Sequence, residues 1–383
     1  MAAHGVYSRQ MPGGAVVRVF DRTTQVPFPN NQSTPFVEPP SFPRIDIWSN
    51  AIASRGNHAP VWQYTLPGGG LTKAGTTGVY VVTGGGSLVA GASKLGAVPM
   101  FSFYSVPGAP ANTSFDVFPG APSVTTGTTV VFKGNYTENG HARTGAYYRD
   151  LQPVPGGGVL PVQLIGNSKE TKIPGTNITF GSLAPPSAAM GQAVFSGFDN
   201  EEAPAAGGIF HVERLTPRPA LRTLVAIGSQ VPDEAAGEVF RKIGEGLSFD
   251  GRMVAFWGAW GTATRPIRLS CPVEGNKDRI AYCNRLYPSG YVTQVPIKQG
   301  ILVHDLQTRT TRTVAKTGTG LTDFLYWNFS GRVPGMGEGD GEDEDGELAR
   351  WRATAFVAVG SNGATSRTLF KAQTTINTNG LFG

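Results

Sequence analysis

"DGRMVAFWG" (250–258) is a tight turn followed by a β-prone run that ends in an aromatic residue and a glycine. The same clause closes "APSVTTGTTVVFKG" (121–134) and "APPSAAMGQAVFSG" (184–197), with Phe132, Phe195 and Phe256 each two residues before a glycine. "FPRIDIWSNAIASRG" (42–56) is a degenerate copy that turns at Ser49-Asn50. Short runs of Val, Phe and Tyr between turn residues read as hairpins, here strand A, turn, strand B.

Two further clauses follow in fixed order. "TGVYVVTGGGSL" (77–88), "TGAYYRDLQ" (144–152), "GGIFHVERL" (207–215) and "QGILVHDLQ" (299–307) supply strand C. "VAGASKLGAVP" (89–99), "LIGNSKETKIP" (164–174) and "LVAIGSQVP" (224–232), with "RTVAKTG" (312–318), supply strand D. "VFDRTTQVP" (19–27) is a D clause with no A or B before it. Four antiparallel strands repeating every 60–90 residues match the blade of a β-propeller, whose stacked blades bury each other's faces.

The chain is therefore expected to be all-β, a five-bladed β-propeller with four-stranded antiparallel blades. The blades fall at roughly 42–99, 115–174, 180–232, 243–318 and 323–375 within one domain spanning 1–383. In the last, 323–331 and 350–360 read as A and B and 366–373 as C, so the N-terminal strand 16–27 is expected to complete it and close the ring. A sixth blade in 259–300 would need strands that the sequence does not display.

The pattern resembles the bacterial tandem-repeat proteins described by an Asn-x-x-Gly-x-x-Ala-Phe repeat, most cleanly at 250–258 and 190–197. In them a Gly-x-x-Val-Ala-Phe hairpin alternates with a Gly-Ile-Tyr strand and a closing strand that ends in proline. The resemblance implies a propeller. It implies little chemistry, because the function of these repeats is largely undefined.

Composition agrees with a turn-rich β protein: of 383 residues, 40% are apolar, 52 are Gly and 29 are Pro. No apolar run reaches the 18 or so residues of a membrane span. "GEGDGEDEDGE" (337–347) holds seven acids and no base, which leaves the rest of the chain at +12 against +5 overall. A basic body attracts acidic polysaccharide or another polyanion; spread, solvated Lys and Arg are the plain alternative. No RNA- or DNA-binding motif accompanies the charge. Cys271 and Cys283 are expected to pin a long loop as a disulfide, the alternative being two free thiols. Sequons at Asn31, Asn112, Asn135, Asn177 and Asn328 point with the disulfide to an extracellular protein, although "MAAHGVYSRQ" lacks the apolar core of a signal peptide.

In a propeller the B–C connections converge on one face, where ligands gather. His58 and His141, with Arg143 and Tyr147 or Tyr148, form the best acid–base set there. A lyase for uronate polysaccharides needs a cation for the carboxylate, a base for the C5 proton and an acid for the leaving oxygen. Surface histidines without catalytic duty are the alternative. A glycosidase pair among Asp46, Asp116, Asp199, Glu201 and Glu202 is less supported. Trp260, Tyr136 and Arg265 are candidate sugar contacts, with Trp62, Trp257 and Tyr291 behind them; His211 and His304 look like equivalent structural positions in strand C. Asp340, Asp343 and Asp345 could hold calcium in the acidic stretch, which otherwise reads as a solvated hairpin tip. The expected function is a monomeric, glycan-recognising propeller that either cleaves an acidic polysaccharide by β-elimination or only binds it. A non-catalytic protein-interaction or surface-structural propeller is the alternative.

Overall fold

The computed structural model describes residues 4–27, 34–39, 41–46, 48–58, 64–65, 71–72, 76–94, 103–274, 277–331, 333, 348–362, 365–376 and 378–383. Over these residues the chain is all-β, with one α-helix. No helix among them is long and apolar enough to cross a membrane. The chain divides into two units, Met1–Asn167 with Leu215–Pro219 and Met336–Gly346, and Ser168–Arg214 with Ala220–Gly335 and Glu347–Gly383.

The first unit opens with a hairpin of β1 (Gly5–Arg9) and β2 (Val16–Asp21). The first sheet places β3 (Phe36–Glu38) and β4 (Arg44–Asp46) along one edge of β5 (Ala51–His58). A small hairpin, β6 (Tyr64–Thr65) and β7 (Leu71–Thr72), intervenes before β8 (Thr76–Val82) and β9 (Leu88–Ser93) complete the sheet. The second sheet runs in chain order through β10 (Ser123–Thr125), β11 (Thr129–Glu138), β12 (His141–Asp150) and β13 (Gln163–Asn167). Val6 and Phe20 pack with Ile52 and Tyr80 on one face of the first sheet, and Ala53 and Val79 pack with Phe132 and Leu164 from the second. The layers thus stack as hairpin, first sheet, second sheet.

The second unit repeats the plan. The third sheet contains β14 (Ser182–Leu183), β15 (Ser187–Ala189), β16 (Gln192–Phe198), β17 (Gly207–Val212) and β18 (Arg222–Ala226). The fourth contains β19 (Phe240–Ile243), β20 (Ser248–Phe249) and β21 (Met253–Leu269), then, after α1 (Lys277–Leu286), β22 (Tyr291–Asp305) and β23 (Thr310–Lys316). β24 (Leu321–Asp323) leads into a separate hairpin of β25 (Leu325–Ser330) and β26 (Arg350–Ala355). The fifth sheet is β24 with β27 (Val357–Asn362), β28 (Thr365–Thr374) and β29 (Asn379–Phe382). One face of the fourth sheet packs on the third through Val194, Ile209, Val254 and Leu302; its other face packs on the fifth through Trp257, Ile301 and Phe370.

The expected A–B–C–D order appears in the first four sheets. The expected closure does not. Residues 16–21 pair with 5–9, and 365–374 pair with 357–362 and 379–382. The "GVY" at 5–7 acts as a C strand and folds back on its own D strand, burying Val6 opposite Phe20. The last sheet is also one strand out of phase with the sequence reading. Residues 325–330 and 350–355 leave it because Phe329 and Trp351 share one face of their hairpin and pack against Tyr282, Cys283 and Tyr287. Val357–Asn362 takes the A position and Thr365–Thr374 the B position. Residues 259–300, read as a loop, extend β21 and β22 into a long arm capped by α1 and the Cys271–Cys283 disulfide.

One detail recurs in four sheets. Strands B and C face each other through a glycine pair: Gly56 and Gly78, Gly134 and Gly145, Gly197 and Gly208, Gly258 and Gly300. A phenylalanine from the preceding segment lies over the B-strand glycine: Phe36, Phe115, Phe180 and Phe240 in turn. A Cβ on those glycines would lie 2.5 to 2.8 Å from the ring. Each of these aromatics comes from the stretch just upstream of the hairpin whose glycine it covers.

Candidate functional site

Side chains alternate across a strand, so the faces of the first two sheets follow from register. β5 pairs with β8 without a break, placing Ala53, Arg55 and Asn57 on one face with Val81, Val79 and Thr77. Ala53, Val79 and Val81 pack on the second sheet, so Arg55, Asn57 and Thr77 face that way too. From the second sheet, Phe132, Gly134 and Tyr136 of β11 share a face with Tyr147, Gly145 and Arg143 of β12. Phe132, Tyr136 and Tyr147 belong to the same apolar layer. At its B–C end this layer turns polar: Arg55, Asn57 and Thr77 on one side, Tyr136, Arg143 and Tyr147 on the other.

Burial in this cluster is deep. Asn57 is 3% exposed, Thr77 2%, Tyr136 1% and Tyr147 0%, while both arginines are half-buried and reach solvent. Phe115 meets Tyr147 edge-on at 4.9 Å, and the Tyr147 ring lies over Gly145, its hydroxyl where a Cβ there would point. The glycine therefore lets the phenol run back along the strand toward Tyr136. Two guanidiniums, three hydroxyls and an amide make the cluster rich in donors, and arginine forks match carboxylates. Glu138 is the acid on this face of β11, next to the hairpin tip.

Arg149 fixes the other end of the layer. It is 4% exposed and donates from Nε to the Leu160 carbonyl and from Nη1 to the carbonyls of Ala90 and Gly91. Its guanidinium also lies 5.2 Å from the Phe103 ring and 5.0 Å from the Tyr104 ring. Burial pushes Tyr104 up to about 12, opposed by the Arg149 charge; burial also lowers Arg149.

The four acid–base candidates separate. His58 lies on the opposite face of β5, 1% exposed, sharing a 2.5 Å hydrogen bond with the Tyr80 hydroxyl beside Phe36. It holds the place in the first sheet that Tyr136 holds in the second, two residues past the glycine. His141 is exposed at the tip of the β11–β12 hairpin, after the positive-φ pair Asn139 and Gly140. Six residues of strand, about 20 Å, separate it from Tyr147. Arg143 and Tyr147 meet in the polar cluster, with Tyr136. Arg55, Asn57 and Thr77 escaped the sequence reading; their signal is position, flanking the Gly56–Gly78 pair on alternate residues.

Trp257, Trp260, Arg265, Tyr291 and the two cysteines lie in the second unit. Trp260 is 2% exposed and packs in the layer between the third and fourth sheets. Trp257 is buried and donates Nε1 to Gln299 at 2.9 Å. Arg265 donates to Asp323 at 3.1 Å and to the Thr322 carbonyl, tying the arm to the start of the fifth sheet. Tyr291 stacks on Trp351 with rings 7° from parallel. Cys271 and Cys283 form the expected disulfide. Asp340, Asp343, Asp345, Trp62 and Asn31 lie outside the described residues. Among those described, no group of three or more His, Cys, Asp or Glu could hold a metal.

No family model and no curated protein matches the chain.

Proposed function

We propose that the polar cluster between the first and second sheets recognises an acidic saccharide, without cleaving it. The observation that carries this reading is that Arg55 and Arg143, on the facing sides of the two sheets, both reach solvent at the polar end of the layer. An uronate offers a carboxylate for the two guanidiniums, which reach solvent above the buried Asn57, Thr77 and Tyr136. Binding alone is favoured because His58, one of the two histidines of the acid–base set, faces away and is locked to Tyr80, and His141 stands at an exposed tip. The wider reading keeps the five sheets as blades of a secreted, monomeric propeller of the tandem-repeat type, supported by sheets that stack in chain order within each unit and by the disulfide.

Titration calorimetry with oligogalacturonate and oligoglucuronate at low and high salt tests it. Binding that weakens with salt, and at least tenfold with Arg143→Gln, is expected, each 1.4 kcal/mol being one decade. Absence of binding, or binding untouched by Arg143→Gln and Thr77→Val, overturns it. Appearance of ultraviolet-absorbing 4,5-unsaturated product would restore lyase chemistry.

A protein partner is the second reading. The arm favours it, with Val273 90%, Val292 50% and Leu286 43% exposed around a disulfide-fixed helix.

A further inference from the structure

His211 of β17 and His304 of β22 are not equivalent. His211 lies three residues after its sheet's paired glycine, Gly208, and His304 four after Gly300. A one-residue offset turns a strand side chain to the other face. His211 pairs with Val194 and His304 with Val254, and both valines belong to the apolar layer between the third and fourth sheets. The two imidazoles therefore enter one layer from opposite sides, 3% and 5% exposed.

The hydrogen bonds hold His211 neutral. Arg222, opposite it on β18, donates Nη2 to His211 Nδ1 at 3.2 Å, so Nε2 carries the proton and donates to Gln192 Oε1 at 2.7 Å. His304 Nδ1 shares a 2.9 Å hydrogen bond with Thr311. Phe249 of β20 faces His211 edge-on at 6.2 Å. The charged groups that act on the pair are Arg222, Glu213 and Asp305. Asp305 is already held by Arg252 at 2.6 Å, and Glu213 is exposed.

We propose that this layer is an acid-sensitive seam: protonating His211 and His304 beside Arg222 gathers three cations between the third and fourth sheets and loosens their packing. Burial first, then the Arg222 charge, lowers both histidines, His211 to about 4 from an ordinary 6.5. The unfolded chain binds these protons first. Stability from the seam is thus complete above about 6.5, falls as pH drops toward 4 and levels off below.

Urea unfolding of the full chain at pH 7.5 and pH 5 tests the seam in wild type, His211→Gln/His304→Gln and Arg222→Gln. Between these pH values the wild-type folding equilibrium constant should fall on the order of tenfold more than that of the double variant. Arg222→Gln, which relieves the repulsion, should fall less than wild type, and it carries the test if the double variant does not fold. Hydrogen exchange of β17 and β22, corrected for intrinsic rates, should rise at pH 5 ahead of β5 and β11. Parallel pH profiles in wild type and Arg222→Gln, or exchange rising equally in all four strands, would overturn the proposal.

Discussion

At Gly134 a Cβ would sit 2.6 Å from the Phe115 ring, and at Gly56 a Cβ would sit 2.5 Å from Phe36. Neither ring can retreat, because each also packs against a tyrosine of strand C, at 4.9 and 4.8 Å. Gly134→Ala should cost about 1–3 kcal/mol in urea unfolding, as overpacking does. Adding Phe115→Leu should return part of that loss, since both changes occupy the same space. Arg149 is a different case, a buried cation whose partners are carbonyls and ring faces. Arg149→Met should destabilise by about 1–3 kcal/mol, since two buried carbonyls and a part-buried one lose their donor. Full stability in that variant would show that water replaces the guanidinium.

Among elements, the A–B hairpins were legible because a turn glycine sits four or five residues before an aromatic that is itself two before a glycine. Thr126-Gly127, Met190-Gly191 and Asn139-Gly140 all take positive φ at hairpin turns. The segments carrying Phe36, Phe115 and Phe180 were not legible, the first being a three-residue strand and the other two lying outside any strand. They bury one large side chain each and have no alternation to read. The fifth sheet misled for a related reason: "DFLYWNFSG" alternates as well as any A strand, and only its partners in the arm reveal where its apolar face goes. The arm depends on its covalent tie, since Cys283 is buried among Phe329, Ala349 and aromatic neighbours. Cys271→Ser/Cys283→Ser should remove about 3 kcal/mol of loop constraint. Hydrogen exchange should register this as lost protection in α1 and β26, while β5 and β11 are unchanged. Equal loss across both units would mean that the arm supports far more than itself.

At the scale of the whole chain, the repeat and its phase were legible through the first four sheets and failed in the fifth, whereas the site was only half visible. Arg143, Tyr136 and Tyr147 could be named from the sequence because they lie at the B–C end of the second repeat, where ligand contacts were expected. Asn57 and Thr77 could not, because which face of β5 meets the second sheet is a packing fact rather than a local one. The histidines misled because catalytic chemistry was assigned by residue type, while register sends His58 to one face and His141 to an exposed tip.

The Phe-on-glycine stacking bears on where the polypeptide could be reopened. Each ring belongs to the stretch upstream of the hairpin it covers, so Phe180 reaches Gly197 and Phe240 reaches Gly258. A permuted chain with new termini between β18 and Phe240 would keep every ring on the same piece as its glycine. Termini placed between β19 and β20 would strand Phe240 at the opposite end of the polypeptide, and that permutant should fold more slowly and melt lower.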